Sequence, residues 1–216
     1  MNIEEARDRM VEQQLRTWDV FDYRVLRAVR ECSRELFVPN TYHDFAFADM
    51  EIPLDHDQAM MNPKVEGRLL QSLSLNPNDR VLEIGTGSGF LTACLAHLSQ
   101  SVLSIDIFAG FTAEARKKLK SLNIQNVNLL TQDAFSMAQN EQFDAIAVTG
   151  SIPTFNEHFV QMLRPGGRMF VIIGKAPAME AILITQHNNG KWTQESLFET
   201  VVAPLSNANQ QVSFVL

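Results

Sequence analysis

Beyond Pro77 the chain alternates between two kinds of text, and this alternation limits the possible folds more than any other feature. Short runs dense in Val, Ile and Leu occur at 80–84, 102–106, 127–131, 143–149 and 168–173. Between them lie stretches with helical spacing: Leu91, Leu95 and Leu98 on one, Phe111, Ala115, Leu119 and Leu122 on the next, Phe155, Phe159 and Met162 on a third. Strands without polar alternation are covered on both faces, and parallel strands joined by amphipathic helices achieve this. The pattern predicts an α/β fold with a mostly parallel, doubly wound sheet. Three more strand-like runs, 181–185, 196–202 and 211–216, follow around Asn188-Asn189-Gly190 and the loop 206–209. Asn-Gly is a hairpin signal, so an antiparallel C-terminal edge is expected.

The chain before this unit has a different character. Residues 1–62 are expected to form an N-terminal helical extension with a substrate loop, and 63–216 the main domain. Ile3, Ala6, Met10 and Leu15 share a helical face, with Asn2 and Glu5 resembling a capping box. Asp22 is placed to cap a second helix that buries Val25, Leu26 and Val29. From Phe37 to Gln58, Pro39, Pro53, several aromatics and four Asp read as an ordered loop that could wall a binding site. Asn62-Pro63 then opens a helix that buries Leu69, Leu70 and Leu73.

Composition removes several function classes. The 216 residues carry 18 Lys and Arg against 25 Asp and Glu, a net charge of −7 that repels a phosphate backbone, so nucleic acid is not an expected partner. No apolar run approaches the roughly 18 residues of a membrane span. Cys32 and Cys94 sit in apolar helical patterns with no nearby cysteine partner, as reduced core residues of a cytoplasmic protein would. The five histidines do not approach metal-ligand spacing, and the glycines around Ser88 stand one residue away on each side rather than the two that a hydrolase elbow needs. A monomer that uses no metal is the expected form.

The run Val81-Leu82-Glu83-Ile84-Gly85-Thr86-Gly87-Ser88-Gly89-Phe90 carries a strand into a glycine-rich turn and then a helix. A dinucleotide site uses G-x-G-x-x-G, because pyrophosphate sits on the helix N-terminus. Here the third glycine comes one residue early and Glu83 precedes the turn, which favours a cationic ligand without phosphate. S-adenosyl-L-methionine, with its sulfonium and amino groups, is the expected cofactor. Asp106 closes the second strand and is placed to accept from ribose hydroxyls, while Asp133 follows the third and can accept from the adenine amino group. Ile107 and Ala134, next along the chain, complete the expected cofactor set. Glu83, Asp106 and Asp133 are expected to converge on one side of the sheet. Asp144 reads as the opening of a buried strand, and Pro165-Gly166-Gly167 as the turn into the fifth. The fold expected is a Rossmann-like S-adenosylmethionine-dependent methyltransferase.

Further segments carry a resemblance. Met10-Val11-x-Gln13-Gln14-Leu15, Asp22-x-Arg24-Val25-Leu26-x-Ala28 and Arg34-Glu35-x-Phe37-Val38-Pro39 precede the glycine motif. Asn126-Val127 with Asp133, Phe143-Asp144-Ala145-Ile146, Leu163-x-Pro165-Gly166-Gly167 and Val202-x-Pro204-Leu205 follow it. In this order they resemble the protein-L-isoaspartate (D-aspartate) O-methyltransferase family over nearly the whole chain. The resemblance implies methyl ester formation on the free carboxylate of isoaspartyl residues, a repair step with a protein or peptide carboxylate as partner.

The family's substrate loop reads like Gly-x-Gly-Gln-Thr-Ile-Ser-x-Pro, and here the same register holds Asp55-His56-Asp57-Gln58-Ala59-Met60-Met61-Asn62-Pro63. The resemblance places His56, Asp57, Gln58 and Met61 at the substrate; Ala59 stands for the family's threonine and Met61 for the serine associated with catalysis. Residues 174–179 also lack the family's expected glutamine. Two other readings are a methyltransferase with a different acceptor and a module that binds the cofactor or a partner without turnover. A thioether donates no hydrogen bond. Methyl transfer to an isoaspartyl peptide is therefore expected to be weaker than in a relative with both hydroxyls, and faster in an Ala59→Thr, Met61→Ser double variant, as a labelled-methyl assay would read.

Overall fold

A computed structural model describes residues 2–188 and 190–208. Helix α1, Ile3–Met10, starts where Asn2 accepts a hydrogen bond from the Glu4 amide at 3.1 Å, so the cap is one-sided and Glu5 does not complete it. The helix loosens into a π turn over Val11–Leu15 and a 3-10 turn over Arg16–Trp18, ending at Asp19 in left-handed backbone, φ 60°. Asp22 caps α2, Tyr23–Glu31, by accepting from the Arg24 amide at 2.8 Å.

The stretch expected to be irregular contains a 3-10 segment, Asn40–Phe45, and a ribbon of two short antiparallel strands, β1 Ile52–Pro53 and β2 Ala59–Met60. Ile52 pairs with Met60 and Pro53 with Ala59. Asn62 then caps α3, Pro63–Leu73, with proline in its first turn.

The main sheet follows as β3 Arg80–Ile84, α4 Phe90–Leu98, β4 Ser101–Asp106, α5 Ala109–Ser121, β5 Val127–Thr131, β6 Phe143–Ile152, α6 Glu157–Val160, β7 Leu163–Lys175, β8 Ala178–Gln186 and β9 Trp192–Glu199. Its strand order is β5-β4-β3-β6-β7-β8-β9. The first five are mutually parallel and β8 and β9 add the antiparallel edge. The strands β6 and β8 run a few residues longer than the sequence reading, and two boundaries differ in kind. Pro165-Gly166-Gly167 is not a turn before a strand: β7 already pairs at Leu163 with Phe143, and the register shifts before Arg168 meets Ala145. The extra residues are absorbed as a bulge in one continuous strand. Strand β9 begins at Trp192 and ends at Glu199, so Val202 leaves the sheet. The expected strand 211–216 and Asn189 of the Asn-Gly pair lie outside the described residues.

Successive strand residues face opposite sides, which splits the core into two layers. Leu82, Ile84, Ile146, Val148 and Phe159 pack on one side. Val81, Ala145, Leu69 and Leu95 pack on the other, together with Met10, Val29 and Phe37 from the N-terminal extension. The extension thus completes the second layer. Arg34, with no exposed surface, ties it down. Its Nε donates to the Ala46 carbonyl at 3.0 Å, one terminal nitrogen forms an ion pair with Glu66 of α3, and the other donates to the Met61 carbonyl at 2.8 Å. Its guanidinium lies 4.9 Å from the centre of the Phe90 ring on α4. Removing one partner of a buried ion pair leaves the other charge uncompensated, at a cost of roughly 3–5 kcal/mol. Arg34→Ala should lower the unfolding free energy by about that much in urea titration, and Arg34→Met, Glu66→Leu, which buries no charge, should recover most of the loss.

Candidate functional site

From β3 the chain steps outward to β4 and β5, then returns to place β6 on the other side of β3. In open α/β sheets ligands bind at such a switch, beyond the carboxyl ends of the strands. A cleft lies there, and its wall includes Gly85, Gly87, Asp106, Ile107, Asp133 and Ala134. These six residues come from the ends of β3, β4 and β5 and were all in the cofactor set read from the sequence.

The turn after β3 is fastened at both ends. The Gly85 amide donates to the Ile105 carbonyl at 2.8 Å, and Thr149 Oγ1 on β6 donates to the carbonyls of Ile84 and Gly85 at 3.0 and 2.8 Å. Gly85 has φ +98°, and a Cβ there would overlap Thr149 Oγ1. Gly87, at φ +51°, has only the Leu54 side chain near its would-be Cβ, at 3.5 Å, and its open side is the cleft. Asp106 braces this turn: Oδ2 accepts from the Gly87 amide and Oδ1 from the Phe108 amide, each at 2.9 Å. Burial pushes its carboxyl above the ordinary range, and the backbone hydrogen bonds from Gly87, Phe108 and Thr86 oppose that rise. Asp133 accepts from the Phe135 amide at 2.9 Å and from Asn207 Nδ2 at 2.8 Å. A carboxylate has about four acceptor positions, so both retain capacity for a ligand.

Glu83 does not join them. Strand alternation turns its side chain under the turn, where Oε2 accepts from Thr92 Oγ1 of α4 and Ser104 Oγ of β4, each at 2.5 Å, with no exposed surface. Burial raises its carboxyl to about 8, with the two hydroxyls opposing the rise. Two carboxylates, not three, converge from the strand ends, and the negative charge expected from Glu83 is muted by desolvation. Thr86 and Ser88 line a smaller adjoining cavity, with Thr86 Oγ1 2.6 Å from Ser104 Oγ. Gly89 precedes α4 and faces Ala115 of α5.

The ribbon supplies the opposite wall through Glu51, Gln58, Ala59 and Met61. His56 does not line the cleft but stacks on Phe108, ring centres 4.0 Å apart and planes 6° from parallel. Asp57 points to solvent and, like His56, has left-handed backbone. Sequence reasoning missed Phe108, Phe111 and Phe135, which give the cleft aromatic surface, and Glu51. The aromatics follow or flank the expected acids, a local signal that was available. It also missed the C-terminal wall. Ser151 Oγ and amide donate to the Val202 and Ala203 carbonyls at 3.2 and 3.0 Å, and the Leu205 amide donates back to Ser151 at 2.9 Å, pinning Val202–Leu205 beside the cleft. Asp144 is accounted for by the Arg80 amide and Arg164, which hold its carboxyl low against its own desolvation.

Residues 5–210 match the protein-L-isoaspartate(D-aspartate) O-methyltransferase (PCMT) family. The chain belongs to this family. Its relatives include the protein-L-isoaspartate O-methyltransferase of Koribacter versatilis, 34% identical over 92% of this chain and 90% of the relative. Another is protein-L-isoaspartate O-methyltransferase 1 of an Anaeromyxobacter species, 37% identical over 87% of this chain and 90% of the relative. A Plasmodium falciparum crystal structure in complex with S-adenosyl-L-homocysteine shares the fold, with a TM-score of 0.79 at 20% identity, covering 93% of this chain and 98% of that one. The fold is thereby the Rossmann-like methyltransferase fold expected, with an N-terminal helical extension.

The Glu83 environment yields a pH prediction. Its folded-state value of about 8 exceeds the 4.5 of an exposed glutamate, so the folded state holds a proton that the unfolded chain releases. The stability this group supports is complete below about pH 4.5 and is lost as pH rises towards 8. Glu83→Gln keeps the shape without the proton: its unfolding free energy relative to the parent should rise steadily between pH 5 and 8, which denaturant titrations at several pH values would read.

Proposed function

We propose that this chain is an S-adenosylmethionine-dependent O-methyltransferase that esterifies the free carboxyl group of isoaspartyl residues in proteins and peptides, a repair step. Family membership over residues 5–210 supports the activity. The observation that carries the cofactor side is Asp106, which braces the glycine turn at the switch point and retains unused acceptor positions facing the cleft.

S-adenosylmethionine, when bound, supplies a methyl group on a positively charged sulfur that leaves readily. The residues fit such a ligand. Asp106 would accept from the ribose hydroxyls and Asp133 from the adenine amino group, with Ile107, Phe108, Ala134 and Phe135 giving the base an apolar bed. Gly85 and Gly87 keep the turn free of Cβ atoms on the cleft side. Thr86, Ser88, Gly89 and Glu83 support the turn from behind. The ribbon residues Gln58, Ala59 and Met61 would face the acceptor, with His56 and Asp57 at the rim. A carboxylate is already a nucleophile, so these walls need only align it and exclude water.

Among the described residues no helix is long and apolar enough to cross a membrane. The buried free thiols of Cys32 and Cys94 suit a reducing compartment, and we place the activity in the cytoplasm.

Calorimetry tests the cofactor assignment. S-adenosylhomocysteine should bind in the micromolar range and NADH far more weakly; tight NADH binding with no heat from S-adenosylhomocysteine would sink it. Asp106→Ala should cost about 1.5–3 kcal/mol, tenfold or more in affinity. The acceptor assignment fails if protein that binds S-adenosylhomocysteine transfers no methyl group to any isoaspartyl peptide.

A further inference from the structure

Glu51 is a carboxylate in the cleft with no partner. Among the described residues nothing donates a hydrogen bond or forms an ion pair with its side chain, and burial alone pushes its carboxyl up. Its place follows from the ribbon's register. Ile52 pairs with Met60 and Pro53 with Ala59, and the residues that flank the first pair, Glu51 and Met61, both line the cleft. Alternation puts the paired Ile52 and Met60 on one side, with Ile52 wholly buried, and Ala59 on the other, where it lines the cleft with Glu51 and Met61. The two positions where the family's loop carries hydroxyls and the unpartnered carboxyl therefore line the same cleft.

The other titratable groups nearby are committed elsewhere or stand at the rim. Asp106 and Asp133 are held by hydrogen bonds at the strand ends. Glu66 on α3, behind Met61, is held by Arg34, and Lys64 of the same helix is held by Asp49 at 2.7 Å. Asp55, His56 and Asp57 sit in the exposed tip of the ribbon. Among the described residues no Lys, Arg or His lines the cleft to meet an acceptor carboxylate.

We propose that Glu51 holds the acceptor carboxyl group of the substrate, the two carboxyl groups sharing one proton in an O–H···O hydrogen bond. The inference rests on the isoaspartyl reading. Two carboxylates in one half-buried site cannot both stay ionised, so acceptor binding draws one proton from solvent. Glu51 then donates through that proton to one acceptor oxygen, as the missing threonine or serine hydroxyl could have done, and the second oxygen keeps its lone pairs for the methyl group.

Proton uptake is the signature, because a merely structural Glu51 would not produce it. Binding of an isoaspartyl peptide to the full chain saturated with S-adenosylhomocysteine should be measured by calorimetry between pH 5 and 8, in buffers of different ionisation enthalpy. The parent should take up close to one proton above the Glu51 titration, and its affinity there should fall about tenfold per pH unit. Glu51→Gln, whose amide donates at any pH, should bind with no uptake and a flat profile; Glu51→Leu should bind at least tenfold more weakly at pH 5. Thermal midpoints establish that the variants fold, and the isosteric Gln variant alone decides the matter if Leu does not. Peptide binding without proton uptake, or equal uptake by parent and Glu51→Gln, overturns the Glu51 proposal and leaves the acceptor reading standing. Protein that binds S-adenosylhomocysteine but no isoaspartyl peptide at any pH overturns the acceptor reading and the Glu51 proposal with it.

Discussion

The buried Arg34 guanidinium is the joint on which the site depends. It contacts four separate parts of the chain: the carbonyl of Ala46 in the loop, the carbonyl of Met61 in the ribbon, the carboxylate of Glu66 on α3 and the ring of Phe90 at the start of α4. Only arginine has planar donors that can reach several acceptors at once while the flat face stacks on an aromatic ring. Burial lifts the Glu66 carboxyl above its ordinary value and the guanidinium holds it back, so each group makes the other tolerable in the interior. Through this joint the N-terminal extension, which contributes no strand to the main sheet, sets the distance between the ribbon and the glycine turn.

The turn has its own joint in Asp106. One carboxylate braces Gly87 from below and caps the segment before α5 at Phe108. The strands β3 and β4 are thereby locked at their carboxyl ends, where parallel ladders have finished and backbone groups would otherwise lack partners. Glu83 is locked one residue layer deeper by Thr92 and Ser104. The two acids divide the work by the face of the strand they occupy and by depth: Asp106 closes β4 at the cleft and braces the glycine turn, and Glu83 on the covered face of β3 meets helix α4.

Much of the main sheet was legible because parallel strands are buried on both sides and read as continuous apolar runs, and because Asn62-Pro63 and Asp22 are caps with a local cause. The ribbon was not. Four paired residues bounded by Pro53 and two left-handed positions, His56 and Asp57, offer no run long enough for period-two alternation to show. Without the ribbon, no face can be assigned to Glu51. Glu83 failed for a different reason: its spacing from the glycines is a linear fact, whereas its direction depends on strand parity, which the glycine motif does not state. The cleft wall at Val202–Leu205 depends on hydrogen bonds to Ser151, more than fifty residues away, and no local pattern encodes those.

The same parity bears on how a loop with Ala59 and Met61 can serve the family's chemistry. Arg34 grips Met61 through its carbonyl oxygen, and the pairing of Ile52 with Met60 is made by backbone, so neither contact depends on a hydroxyl at 59 or 61. The side of the ribbon that faces the core, Ile52 and Met60, is fully packed and fixes which residues face the cleft. Methyl transfer to a carboxylate asks chiefly for alignment in a dry pocket. The ribbon's backbone pairing and the Arg34 contact hold its shape without those hydroxyls, which leaves the cleft-facing positions free to vary in side chain.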